Sequence, residues 1–264
     1  MNLNGKTIIL TGGSSGIGEQ AAIQLASLGA KVCIVARRSD ELERVQNTIQ
    51  QQGGQAWIYP VDITKDDDAQ QCIEKILSEH KTVDVLINNA ARSIRRPIME
   101  ALDRLHDYER TMQINYFAAV RLTLALLPHF LANGHGHVIN VSTMSTQVPI
   151  PLFSAYLASK SALESFSRSL KMELGDQGIN VSIVYFPMVR TPMSSKTKIY
   201  KHMRMLDTET AASWLVKAVQ DKPYRVTSTS GAIANALLNT APNTVMNLTR
   251  PLFKLMDRRL EKKL

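Results

Sequence analysis

The stretch Thr7-Ile8-Ile9-Leu10-Thr11-Gly12-Gly13-Ser14-Ser15-Gly16-Ile17-Gly18 passes from a short apolar run through a glycine-rich turn into a helical pattern. Glycine permits a tight turn and lets the backbone come close to a ligand, while the free N–H groups at the start of the following helix draw an anion. A glycine-rich turn is common by itself. Set between the first strand and the first helix, it has the context that a pyrophosphate-binding turn requires.

Outward from that junction, short β-rich runs alternate with longer helical patterns. Residues 7–11, 32–36, 56–59, 83–87, 137–141 and 181–186 read as strands. Residues 16–28, 39–52, 65–79, 103–131 and 155–174 read as helices, the fourth as a pair. Near-continuous apolar strands separated by helices predict a parallel sheet covered on both faces. The fold class is therefore α/β, a doubly wound parallel sheet of Rossmann type in three α/β/α layers. No linker or internal repeat divides the chain. Residues 1–230 read as one cofactor-binding and catalytic domain that includes an irregular segment at 188–206, and 231–264 read as a helical extension.

Of the 264 residues, 44% are hydrophobic, enough for one large core. No run approaches the roughly 18 apolar residues of a membrane span, and Met1–Lys6 does not have the pattern of a secretory signal. Cys33 and Cys72 each lie inside an apolar pattern, which predicts buried thiols in a reduced compartment, the cytoplasm. No Cys/His cluster has ligand spacing, so no metal is expected. The net charge of +8 is uneven: residues 250–264 hold six cations against two acids, a net of +4. Charge confined to a tail, without a recognition motif, argues against nucleic-acid binding.

In a dinucleotide fold the end of the second strand sets the ribose preference. A carboxylate there accepts from the 2′-hydroxyl of NAD, and an arginine takes the 2′-phosphate of NADP. Here Ala36 is followed by Arg37 and Arg38, with no acid until Asp40. Two guanidiniums and a missing carboxylate predict NADP(H).

Tyr156 and Lys160 lie four apart at the start of a stretch with Ala158, Leu163, Phe166 and Leu170 at helical spacing. Residues i and i+4 share one face of a helix, which sets the ammonium beside the phenol. A free tyrosine titrates near ~10. A neighbouring cation lowers that value and makes the phenol an acid–base group at neutral pH. A surface helix with a solvated lysine has the same spacing, so the rest of the chain must decide.

With these pieces together, residues 5–230 resemble the short-chain dehydrogenase/reductase family. Thr11–Gly18 is similar to its T-G-x-x-x-G-x-G element, Asp62-Ile63 to its adenine-contacting pair, Asn88-Asn89-Ala90-Ala91 to its N-N-A-G element, and Pro187–Thr191 to P-G-x-x-x-T. Asn115 falls at the family's catalytic Asn, and Tyr156 with Lys160 matches its Y-x-x-x-K pair. The resemblance implies NADP contacts at Thr11, Gly12, Ser14, Ser15, Gly16, Ile17, Gly18, Arg37, Arg38, Asp62, Ile63, Asn89, Ala90, Ala91, Tyr156, Lys160, Pro187, Val189 and Thr191. It implies that Tyr156 donates a proton to a carbonyl while the nicotinamide delivers hydride, with the reverse path oxidising an alcohol. Lys160 lowers the phenol pKa and holds the nicotinamide ribose, and Asn115 holds a water that connects Lys160 to solvent. Ala91 and Met188 stand where the family has glycine. The family's catalytic Ser, thirteen residues before the Tyr, is here Thr143. Thr143 keeps the hydroxyl and takes that role, and Ser142 is expected on the opposite side of the strand end. The family also implies a homodimer or homotetramer.

The segment 188–206 is expected to cross the mouth of the site. It holds Met188, Met193, Met203 and Met205, four of eleven methionines, with Arg190, Lys196, Lys198, Lys201 and Arg204 and no acid. Methionine adapts to flexible apolar ligands and a basic rim suits an anionic head group. Arg92, Arg95 and Arg96 could join that rim. A lipid-like substrate contacting Thr143, Met188 and Met193, with an acidic or phosphate-bearing end, is one reading; a solvated loop is the other. The runs 189–200 and 236–242 are similar to a subgroup associated with fatty acyl-CoA reduction to aldehyde. Residues 243–264 form a basic amphipathic pattern, which fits a helix lying on an anionic membrane. It equally fits one covering the site or a neighbouring subunit. An NADP-binding sensor without turnover is the reading from a different class, and the retention of Tyr156 and Lys160 argues against it.

Overall fold

Every residue of Thr7–Thr11 is buried, as a strand covered on both faces demands. The computed structural model describes residues 1–195, 203 and 205–261, with the side chains at 252 and 254–261 excepted. Lys196, Lys198, Lys201 and Arg204 of the expected basic rim, and Lys262 and Lys263 of the tail, lie outside the described residues.

β1 (Thr7–Thr11) leads through α1 (Gly16–Ser27), β2 (Lys31–Ala36), α2 (Ser39–Gln51), β3 (Gln55–Pro60) and α3 (Asp66–His80) to β4 (Val85–Asn88). There follow α4 (Leu105–Met112), α5 (Ala118–Asn133), β5 (Gly136–Thr143), α6 (Ser154–Leu174) and β6 (Ile179–Phe186). The chain ends through α7 (Pro192–Ser195), α8 (Thr208–Asp221), β7 (Arg225–Val226), α9 (Thr229–Thr240) and α10 (Pro242–Glu261). The strands pair in parallel in the order β3-β2-β1-β4-β5-β6-β7. The chain winds outward from β1 to β3 and then returns to lay β4 on the other side of β1. That reversal opens a crevice at the carboxyl ends of β1 and β4, where ligands of such sheets bind.

Two apolar layers hold the sheet. On one face, Leu25 of α1, Val45 of α2 and Leu215 and Val219 of α8 pack on Ile8, Leu10 and Ile34. On the other, Ile73 of α3, Leu126 and Phe130 of α5 and Leu170 of α6 pack on Ile9, Leu86 and Val138. The expected three layers and doubly wound sheet are present. β4 begins two residues later than the apolar run 83–87, because Asp84 turns its carboxylate to Thr7 N–H at 2.9 Å and to Lys6 Nζ at 2.7 Å. β7 and α8 lie beyond the expected elements, and the extension drawn from residue 231 begins inside α9.

The helix pair expected over 103–131 is one continuous helical stretch. A π turn at Gln113–Phe117 joins α4 to α5, an insertion that shifts the facing of residues on either side. Leu105–Asn133 is long enough to cross a membrane and contains an 18-residue window apolar enough to do so. Its apolar character has a nearer cause: Leu122, Leu126 and Phe130 are fully buried against the sheet. Phe130→Ala should therefore cost about 3–5 kcal/mol in urea unfolding. A loss below ~1 kcal/mol would show that α5 does not carry this side of the core.

Candidate active site

The glycine turn is stitched to the end of β4. Thr11 Oγ1 donates to the Ile87 carbonyl at 3.2 Å and accepts from the amides of Asn89 and Ala90, each at 3.0 Å. The Asn89 side chain donates to the carbonyls of Thr11 at 2.9 Å and Gly12 at 3.3 Å. Gly12 has φ +69°, and a Cβ there would come within 2.8 Å of the Ala90 backbone. A Cβ on Gly18 would lie 2.3 Å from the Gly12 carbonyl. Only hydrogen fits at both positions, so backbone lines the crevice. Ser15 precedes α1 without a side-chain cap, leaving the helix N–H groups facing the turn.

Arg37 and Arg38 follow β2 and are exposed on the same crevice. Asp62, at the neighbouring β3 end, takes the amide and hydroxyl of Thr64 at 3.1 and 2.7 Å. Burial pushes its carboxyl up, but the Thr64 bonds and then the Arg37 charge leave it below the usual range. Among the described residues, the Arg38 side chain makes a long, exposed ion pair with Glu41, 3.7 Å.

α6 presents Tyr156 and Lys160 to the end of β5. Lys160 is 1% exposed and donates from Nζ to the Val141 carbonyl at 2.7 Å. Burial lowers its pKa to about 8, and the Glu164 carboxylate one turn further along acts against that fall. The Tyr156 phenol is pushed up to about 12 by burial, partly relieved by the nearby Thr143 hydroxyl. This corrects the expectation that Lys160 brings the phenol down: desolvation outweighs the other influences, and the ammonium is engaged by a backbone carbonyl.

Thr143 and Ser142 separate as strand alternation requires. Thr143 Oγ1 turns toward Tyr156 and accepts from the Ser145 amide at 3.2 Å. Ser142 Oγ donates to Glu164 Oε1 at 2.6 Å, and Tyr185 donates to Glu164 Oε2 at 3.3 Å. Glu164 is thus clamped by two hydroxyls behind the lysine, and Arg225 stacks 4.8 Å over the Tyr185 ring.

Asn115 lies in the π turn, 1% exposed. Its amide donates to the Arg92 carbonyl and to Ser159 Oγ, each at 2.9 Å, and its oxygen accepts from the Arg92 amide at 2.8 Å. Both amide hydrogens are spent on this clamp, so the side chain fixes the loop after β4.

One cleft of about 2160 Å³ gathers most of the expected residues. Gly12, Ser14–Gly18, Arg37, Arg38, Asp62, Ile63, Asn89–Ala91, Thr143, Tyr156, Lys160, Pro187, Met188, Val189, Thr191 and Met193 all border it. Thr11 and Asn115 stand behind its wall. Residues 188–190 are anchored by backbone bonds to Leu206. Arg110 of α4 and, from α10, Met246, Thr249, Arg250 and Phe253, none of them marked by a motif, also line the cleft. The amphipathic tail is the signal for the latter, and Met246, Thr249, Arg250 and Phe253 are its positions on the cleft.

Residues 6–201 match the family model described as short chain dehydrogenase. The chain is 45% identical over 255 residues to a fatty acyl-CoA reductase of Acinetobacter baylyi, covering 96% of this chain and 86% of the relative. It is similar to the solved structure of a metagenomic short-chain oxidoreductase in complex with NADP, at 27% identity and TM-score 0.74, over 86% of this chain and 98% of the other. A short chain dehydrogenase/reductase from Burkholderia phymatum in complex with NAD shares the fold, with TM-score 0.83 at 19% identity over 90% and 94% of the two chains.

The Glu164 clamp makes a prediction about charge. Removing the carboxylate in Glu164→Gln takes away an anion that favours the ammonium, so Lys160 should lose its proton at lower pH than in the parent. Competitive labelling with fluorodinitrobenzene across pH, read on the Lys160 peptide by mass spectrometry, measures the midpoint. Equal midpoints in the two proteins would contradict the coupling.

Proposed function

The chain belongs to the short-chain dehydrogenase family of oxidoreductases, and from that premise we propose that it is an NADP(H)-dependent reductase of long-chain acyl thioesters, releasing the aldehyde. The cleft carries this reading: at about 2160 Å³ it is larger than the ~300–1,000 Å³ of common ligand pockets. That leaves space for a second extended ligand beside a dinucleotide. The relative at 45% identity, itself a fatty acyl-CoA reductase, supports an acyl thioester as the substrate.

The residues fit the cofactor. The turn at Gly12 and Gly18 has backbone where a Cβ would intrude, and it opens onto the N-terminus of α1. Arg37 and Arg38 stand at the β2 end in place of the acid that NAD would use, which supports NADP. When bound, its nicotinamide supplies the hydride. Pro187, Val189 and Thr191 border the same cleft as Tyr156 and are assigned to its nicotinamide half.

Tyr156 gives its phenolic proton to the thioester oxygen as the carbon is reduced. The C–S bond of the resulting hemithioacetal then breaks, the carbonyl re-forms and the sulfur takes a proton, leaving aldehyde and free thiol. Thr143, beside the phenol, holds the same oxygen and polarises it. Lys160, one helical turn along, is positioned for the ribose. The protonated phenol is the form a reduction consumes. Met188 and Met193 give the acyl chain an adaptable apolar wall.

The test is NADPH consumption with palmitoyl-CoA beside a panel of long-chain ketones and alcohols. Palmitoyl-CoA should be turned over, with kcat/KM for NADPH above that for NADH by about tenfold or more, a difference of ~1.4 kcal/mol. Arg37→Asp should swing that ratio toward NADH. Turnover of ketones without acyl-CoA, or a ratio that Arg37→Asp leaves unmoved, would overturn the corresponding half of the proposal.

A further inference from the structure

We infer that Arg92, Arg110 and Arg250, brought to the cleft by three separate elements, form a binding subsite for the phosphates of the substrate's CoA moiety, with α10 as its outer wall. The inference rests on the acyl-thioester reading and adds to it a place for the nucleotide end of the substrate. On α10 the cleft-lining positions are Met246, Thr249, Arg250 and Phe253, spaced i, i+3, i+4 and i+7, so one face of the helix is turned inward. Leu248, off that face, is 67% exposed, against 45% for Met246 on it.

The charge around the cleft is divided by β1. Arg37 and Arg38 lie at the β2 end on one side and are assigned to the 2′-phosphate. On the other side, at the β4 end and beyond, stand Arg92 and Arg110; Arg250 borders the same cleft from α10. Among the described residues that border the cleft, the acids are Asp62, held by Thr64 near Arg37, and Glu109 beside Arg110. The cleft therefore keeps a strong positive excess after the cofactor's own cations are set aside.

The segment also sorts its arginines. Arg96 and Arg104 both pair with the buried Asp107, at 3.1 and 3.0 Å, and serve the fold. Arg92 is held through its backbone instead, by the Asn115 clamp on both its N–H and its carbonyl. Its position is thereby tied to the π turn next to the reacting groups, while its side chain borders the cleft. Guanidinium groups match phosphate oxygens in bidentate geometry, and CoA offers a diphosphate and a 3′-phosphate. Met246 and Phe253 beside Arg250 supply apolar surface for the less polar parts of the same ligand.

The experiment compares two thioesters with the same acyl chain: palmitoyl-CoA, and palmitoyl-N-acetylcysteamine, which lacks the nucleotide and its phosphates. The readout is the ratio of their kcat/KM values in the parent protein and in Arg250→Glu and Arg92→Gln, with KM for NADPH measured in each. A fall in the ratio of about tenfold or more, with KM for NADPH within about twofold, is the expected result. Both thioesters turned over with an unchanged ratio would overturn the subsite and leave the acyl-thioester reading standing. Parallel loss of both thioesters with a raised KM for NADPH would also overturn it, by assigning these arginines to the cofactor. If the parent turns over ketones but neither thioester, the reading beneath the subsite fails and the subsite with it.

Discussion

The Thr11 hydroxyl and the Asn89 side chain together lock the end of β1 to the end of β4, and the rest of the cleft is built on that lock. Five hydrogen bonds cross the gap between two strands that the chain order has reversed. They hold the glycine turn so close to Ala90 that a single Cβ at Gly12 would collide with backbone. Because the turn cannot move away, its amides and the first N–H groups of α1 face the crevice as a fixed anion cradle. The loop leaving β4 starts from the same point, and Asn115 clamps it three residues later through Arg92. Cofactor cradle and reacting groups are thus referred to one rigid origin.

At the other wall, burial and charge oppose each other. Taking Tyr156 and Lys160 out of water drives both toward their neutral forms, the phenol up to about 12 and the ammonium down to about 8. A protonated phenol is what a proton donor needs. A lysine near 8 is a weaker cation, and Glu164 resists that loss, itself held by Ser142 and Tyr185. The serine beside Thr143 therefore serves the lysine through the carboxylate, while Thr143 serves the tyrosine directly.

The doubly wound sheet was legible because its strands are apolar throughout and its helices show one apolar stripe, patterns that periodicity reports. The glycine turn, Arg37-Arg38 and Tyr156–Lys160 were legible because each is local, a few residues apart on one element. What escaped is not local. Glu164, Ser142 and Tyr185 come from three elements and meet only when the sheet assembles. A π turn leaves no mark in residue spacing, so the clamp that Asn115 places on the loop after β4 could not be read from the sequence. Spacing told that Lys160 lies near Tyr156, but it carries no information about desolvation, which reversed the expected direction of the phenol shift. The tail's amphipathic face was plain in the sequence; the cleft it faces was not.

The central claim is that Tyr156 protonates a thioester oxygen during hydride transfer, so that each reduction releases one aldehyde and one thiol. Stopped-flow measurement of NADPH oxidation with palmitoyl-CoA, with aldehyde and free CoA thiol quantified at the end, tests it most directly in the parent and in Tyr156→Phe. The account predicts one aldehyde and one thiol per NADPH in the parent. In Tyr156→Phe it predicts a rate lower by roughly 10²–10⁴-fold with NADPH affinity retained. Near-parental turnover by Tyr156→Phe, or NADPH consumed without thiol release, would contradict it.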